Sequence, residues 1–167
     1  MTITQICKLL KEELLDNGYE YGFVLDDKRY KPNLANGFDS EYYNLASSIY
    51  CVQAPDVTRR YKIGTCIDAV VLMKALLDEQ NVPNKIWLLY DVNKNRAHTV
   101  LTFLAEDKTV YLELTPQYSK EWYGREIICE SESEMLERFY RDGFEPTDVT
   151  DSVKISERPF FLLNKLK

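Results

Sequence analysis

From Cys66 to Leu77 the chain reads CIDAVVLMKALL, with Ala69, Val70, Leu72, Met73, Leu76 and Leu77 spread around most of a helical circumference. Lys74 and Asp78 remain as a narrow charged strip with i,i+4 spacing. A helix that is apolar on nearly every side cannot lie on a surface, because each of those sides needs something packed on it. This segment is therefore read as a central helix, and the rest of the chain as what surrounds it.

Asn81-Val82-Pro83 ends that helix, and three β-rich runs follow: "KIWLLYDV", "RAHTVLTFL" and "TVYLEL". The last two flank the acidic turn "AEDK", which predicts a hairpin closing through Asp107-Lys108. Upstream, Ile3, Ile6, Cys7, Leu10 and Leu14 form a helical stripe over residues 3–16, with Thr2 and Gln5 in capping-box spacing and Gly18 as the stop. Residues 19–38 are aromatic and turn-rich and read as irregular, with a short strand near Phe23 to Leu25. Asp39 or Ser40 caps a second helix through Leu45 and Ile49, and "VQAPDVTRRYKIG" reads as an irregular connection. Ser131 and Glu134 form a capping box before "MLERFYRDG", and "PFFLL" reads as a closing strand. Grouped helices with antiparallel strands predict an α+β class, and 167 residues suit one domain spanning 1–167.

Charge narrows the partners. A net charge of −6 without a dense basic patch argues against nucleic acid and against an anionic membrane surface. By steering alone it would favour cationic peptides or amines. The N-terminus has acids by its second turn and no apolar run of signal-peptide length, which predicts a cytoplasmic location. Cys7, Cys51, Cys66 and Cys129 form no CxxC pair, so neither a zinc knuckle nor a redox dithiol is expected. Cys7, Cys51 and Cys129 read as packing residues.

Cys66 stands directly after Gly64-Thr65 at the predicted start of the central helix. It is either a small apolar residue opening a buried helix or a nucleophile, since helix N-terminal N–H groups favour the thiolate. In the second reading Gly64 lets the backbone approach closely and leaves room for a substrate carbonyl, whose developing charge meets the Cys66 N–H. Tyr61 would supply an oxyanion donor or an aromatic wall. Asp68 reads as a first-turn acid favoured by the helix dipole, its charge slightly opposing thiolate formation. His98 is the only histidine, so any cysteine–imidazole chemistry must use it. With the hairpin closed, His98 comes within reach of either Glu113 or Thr115. Glu113 is the better candidate because a carboxylate stabilises an imidazolium, whereas a hydroxyl only orients the neutral ring. Tyr118, Trp122 and Tyr123 line a cleft or cover an edge.

The run "GTCIDAVVLMKALLDEQNVPNKIWLLY", followed by "RAHTVLTF" and "VYLELTP", resembles the cysteine, histidine and third-strand segments of the transglutaminase-like superfamily, over Gly64 to Pro116. In that family an aspartate usually precedes the proline, and here Thr115 occupies the place. The resemblance implies a papain-like core with the cysteine helix packed on an antiparallel sheet, with Cys66 and His98 catalytic and Glu113 or Thr115 as third member. It also implies that no metal and no cofactor are required. The expected activity is attack on an amide or related acyl group through a thioester, with a peptide, protein or amine as substrate. A catalytically degenerate binding module and a thioester-dependent acyltransferase remain as alternatives.

Overall fold

The computed structural model describes residues 1–33, 39–116 and 123–159. Among the described residues, five α-helices combine with a five-stranded antiparallel sheet, in agreement with the α+β expectation. Its main sheet contains β5 (Asn84–Asp91), β6 (Arg96–Ala105), β7 (Lys108–Leu112), β8 (Glu126–Cys129) and β9 (Phe144–Asp148), in the order β8-β7-β6-β5-β9. Two small pairs precede it in sequence: β1 (Glu20–Tyr21) beside β4 (Ile63–Gly64), and β2 (Phe23–Leu25) beside β3 (Lys28–Tyr30).

Side-chain alternation divides the main sheet into two buried faces. Ile86, Leu88, Leu101, Phe103, Val110 and Leu112 pack with α1 (Ile3–Leu14) and with α4 (Cys66–Glu79). Trp87, Leu89, Val100 and Tyr111 pack on Met135 and Phe139 of α5 (Glu132–Arg141). The central-helix prediction is met in a particular way: Leu72, Met73, Leu76 and Leu77 of α4 join the sheet core, while Cys66 and Ile67 at its start belong to a separate cluster with Phe23, Tyr42, Tyr50 and Val52. Tyr42 comes from α2 (Ser40–Ile49), so the N-terminal third of the chain covers the beginning of the cysteine helix.

The caps explain the helix boundaries. Thr2 and Gln5 make a complete capping box, and Asp39 caps α2 by accepting from the Tyr42 N–H. At α5 only half of the expected box forms: Ser131 accepts from the Glu134 N–H, but the Glu134 carboxylate takes the Glu130 N–H instead. Asn81 ends α4 in a left-handed conformation, at φ 56°. The β6–β7 turn lies one residue earlier than expected, on Glu106 and Asp107, both left-handed as a two-residue hairpin requires.

The segment around Pro55 is not irregular. It forms α3 (Pro55–Tyr61), with proline at the first helical turn, where its missing N–H costs nothing. Strand β9 also lacked a sequence signal, because "FEPTD" has little apolar alternation; it pairs only with β5, and Pro146 is tolerated on an edge. In the predicted closing strand "PFFLL", residues 160–163 lie outside the described residues, as do Tyr118 and Trp122. Among the described residues, no helix is long and apolar enough to cross a membrane.

Candidate active site

Cys66 is the first residue of α4, and Thr65 caps the helix. Cys66 retains 8 % exposure and lines a cavity of about 340 Å³, whose wall also includes His98 and Thr115. His98 projects from near the start of β6, close enough for Cys66 to raise its pKa by side-chain hydrogen bonding and charge. Its Nε2 lies 2.5 Å from Glu113 Oε1, which leaves Nδ1 as the ring nitrogen for the sulfur. Cys66, His98 and Glu113 are thus joined in series.

The local backbone explains why Glu113 takes the third place. Pairing between β6 and β7 runs from Ala105↔Lys108 to Thr102↔Tyr111. Beyond it, Glu113 leaves the ladder and bridges to Tyr123 in parallel, while its carbonyl accepts from the Gly124 N–H. Continued in register, Thr115 would face His98; the Glu113 side chain instead reaches the ring from one pleat earlier. Both carboxylate oxygens are used: the Tyr111 hydroxyl donates to Oε1 at 2.6 Å, and the Thr115 N–H donates to Oε2 at 2.9 Å. Thr115 therefore supports the site through its backbone. Its own hydroxyl is buried, with no hydrogen-bond partner among the described residues.

The electrostatics follow from this packing. Burial alone would lower the His98 pKa, but the Glu113 charge and the hydrogen bonds to Cys66 and Glu113 hold it well above the usual imidazole range. Burial would raise the Glu113 carboxyl; the His98 charge and the bonds from His98, Tyr111 and the Thr115 N–H bring it below its ordinary value. Both directions favour a carboxylate–imidazolium pair, in which the ring carries a proton to give.

Asp68 differs from its expected role as a surface acid serving the helix dipole. It is fully buried and joins four donors: its Oδ1 accepts from the Tyr50 hydroxyl at 2.6 Å and the Gln53 N–H at 2.8 Å, while its Oδ2 accepts from the Thr65 N–H and hydroxyl. Burial pushes its carboxyl up to about 6, against the hydrogen bonds from Tyr50, Thr65 and Gln53, which lower it. Asp68 is the reciprocal member of the Thr65 capping box, so the acid that fixes the start of the cysteine helix also ties it to the segment around Tyr50.

Two sequence expectations are corrected. Gly64 does not make room for a carbonyl: a Cβ at that position would lie 2.9 Å from Asp68 Cβ and 3.3 Å from Thr58 Cγ2, so its smallness admits Asp68. Gly64→Ala is expected to destabilise the fold by about 1–3 kcal/mol through overpacking, read as a lower urea midpoint at unchanged slope. Tyr61 does not line the cavity. Its hydroxyl donates to Asp27, and its ring lies beside the Arg29 and Arg60 guanidinium groups. Lys62, left-handed at φ 51°, turns the chain after Tyr61 and into β4. The aromatic wall comes instead from Tyr21, Tyr42, Tyr43 and Tyr50. The available signal was the density of tyrosine in "YEYGF" and "EYYNLASSIY", which spacing alone did not connect to Cys66.

Compared with family models, with curated proteins and with solved structures, the chain matches none. The functional reading therefore rests on the geometry of these residues.

Proposed function

We propose that this chain is a cysteine-dependent enzyme of the transglutaminase-like, papain-like type, which attacks an amide or related acyl group through a thioester. The observation that carries this reading is that Cys66 and His98 share one cavity at the N-terminus of a buried helix, with Glu113 hydrogen-bonded to the far side of the ring.

In this mechanism the Cys66 thiolate adds to the substrate carbonyl, and charge developing on the oxygen is met by N–H groups of the first turn of α4, which have no intrahelical acceptor. The tetrahedral adduct collapses as the His98 imidazolium gives its proton to the leaving group, which leaves the acyl chain on sulfur. Water or an amine then attacks the thioester, with His98 as base, and the thiolate is regenerated. Glu113 orients the ring through Nε2 and stabilises its charge, while Tyr111 and the Thr115 N–H hold Glu113 in place.

The test is acylation by p-nitrophenyl acetate, followed by p-nitrophenolate release and by intact mass. A single acetyl group mapped to Cys66, absent in Cys66→Ala, is the expected result. Labelling spread evenly over the four thiols would overturn the reading. Glu113→Gln is expected to slow acylation, by up to about 10⁴-fold, because a neutral amide does not stabilise the imidazolium. It should also shift the pH profile. The His98 proton is held well above the ordinary imidazole range partly by the Glu113 charge, so removing that charge moves the alkaline limb of the profile to lower pH.

A further inference from the structure

The chain is acidic overall, but the cavity mouth is not. Among its described lining residues are Lys94, Arg96 and Arg158, against a single carboxylate, Asp91. Asp91 lies across the strand pair from Arg96 and is engaged by the backbone N–H groups of Asn93 and Lys94. Arg96 stands two residues before His98 on β6, so both side chains leave the same face of the strand, about 7 Å apart along it. The Tyr43 hydroxyl, whose proton is held by burial, lies within electrostatic reach of Cys66, Arg96 and His98 together. Arg158 is anchored over the same opening by donating to the Ser47 carbonyl.

The interior is largely aromatic, with Tyr42 and Thr115 among the residues of its wall. Tyr21, Ala46 and Ile67 supply apolar surface between them.

We infer that the site takes a small acyl substrate bearing an anionic group, with the carbonyl at Cys66, the chain along the tyrosine wall and the anion at Lys94 and Arg96. This inference rests on the proposed cysteine chemistry and reverses the preference for cations that whole-chain charge alone would suggest.

The test compares three thiol reagents on the full chain: methyl, 2-sulfonatoethyl and 2-trimethylammonioethyl methanethiosulfonate. In each, the Cys66 sulfur attacks the sulfenyl sulfur; a disulfide bond forms, and the bond to the sulfonyl group breaks as methanesulfinate leaves with the electron pair. The neutral reagent reports thiol reactivity by itself. If it modifies Cys66 no faster than the other cysteines, the proposed function fails, while the charge ratio still measures the mouth. The anionic reagent is expected to react faster than the cationic one, and that ratio should fall about tenfold in the Lys94→Gln/Arg96→Gln variant. In the unaltered protein it should also fall as salt is raised, a reading that needs no variant. Faster reaction with the cation, or a ratio indifferent to both the substitutions and salt, would overturn the inference. Protection of Cys66 by glutaramate supports a free small acyl substrate, and protection by an N-acetyl-Gln-Glu amide supports an acidic peptide. Protection by neither at millimolar concentration would overturn it.

Discussion

Replacement of His98 by alanine should slow acylation of Cys66 by p-nitrophenyl acetate about 10²- to 10⁴-fold at neutral pH, the usual range for removing a positioned acid–base group. The loss is expected to be this large because no second imidazole exists in the chain and His98 is the imidazole beside the sulfur. Two of the other thiols cannot conceal the effect. Burial pushes the Cys7 thiol up to about 11, reinforced by the Glu126 charge, and burial also raises Cys129. Rapid labelling should therefore map to Cys66 in the parent protein and vanish in both His98→Ala and Cys66→Ala. An unchanged acylation rate in His98→Ala would remove the imidazole from the mechanism. Far-UV circular dichroism should remain that of the parent, since the ring sits at the cavity wall and its loss leaves both sheet cores intact.

Asp68→Ala should cost about 4 kcal/mol of folding stability, because it strands the Tyr50 hydroxyl and the Gln53 and Thr65 N–H groups in a buried region. The loss should depend on pH, with a definite sign. The folded-state carboxyl is raised from 3.8 to about 6, so the protein gains from Asp68 fully below the unfolded value and loses that gain as pH rises through 6. The parent should therefore exceed the variant by more at pH 4 than at pH 7, by about 2 kcal/mol. Urea titrations of both proteins at the two pH values make this measurement. A difference independent of pH would mean that Asp68 is not titrating in the buried network described here.

Much of the fold was legible because its central elements have strong periodic signals. The α4 segment is apolar on most sides and is in fact enclosed on most sides, and β5, β6 and β7 follow as apolar runs joined by a recognisable turn. The meeting of His98 with Glu113 was also readable, since one hairpin brings both into range and a carboxylate suits an imidazolium better than the Thr115 hydroxyl; the departure from the ladder at the Glu113–Tyr123 bridge, which lets Glu113 reach the ring, was not. The cover was not readable. Tyr42 and Tyr50 reach Cys66 only through tertiary packing, which no local spacing encodes. Tyr61, close to Cys66 in sequence, turns away because α3 ends there and Lys62 redirects the chain. Asp68 illustrates the same limit: at the third position of a helix an acid is ordinary, and only its enclosure by Tyr50, Gln53 and Thr65 changes its role.

The start of α4 is held by the cluster of Phe23, Tyr50 and Val52 and by the Asp68 bonds, whereas the entrance is built from side chains on α2, the β5–β6 turn and the stretch near Arg158. Substitutions among the latter can redraw what is admitted while the sulfur keeps its seat. In the proposed enzyme, selectivity would thus be set at the rim and reactivity at the anchored helix start.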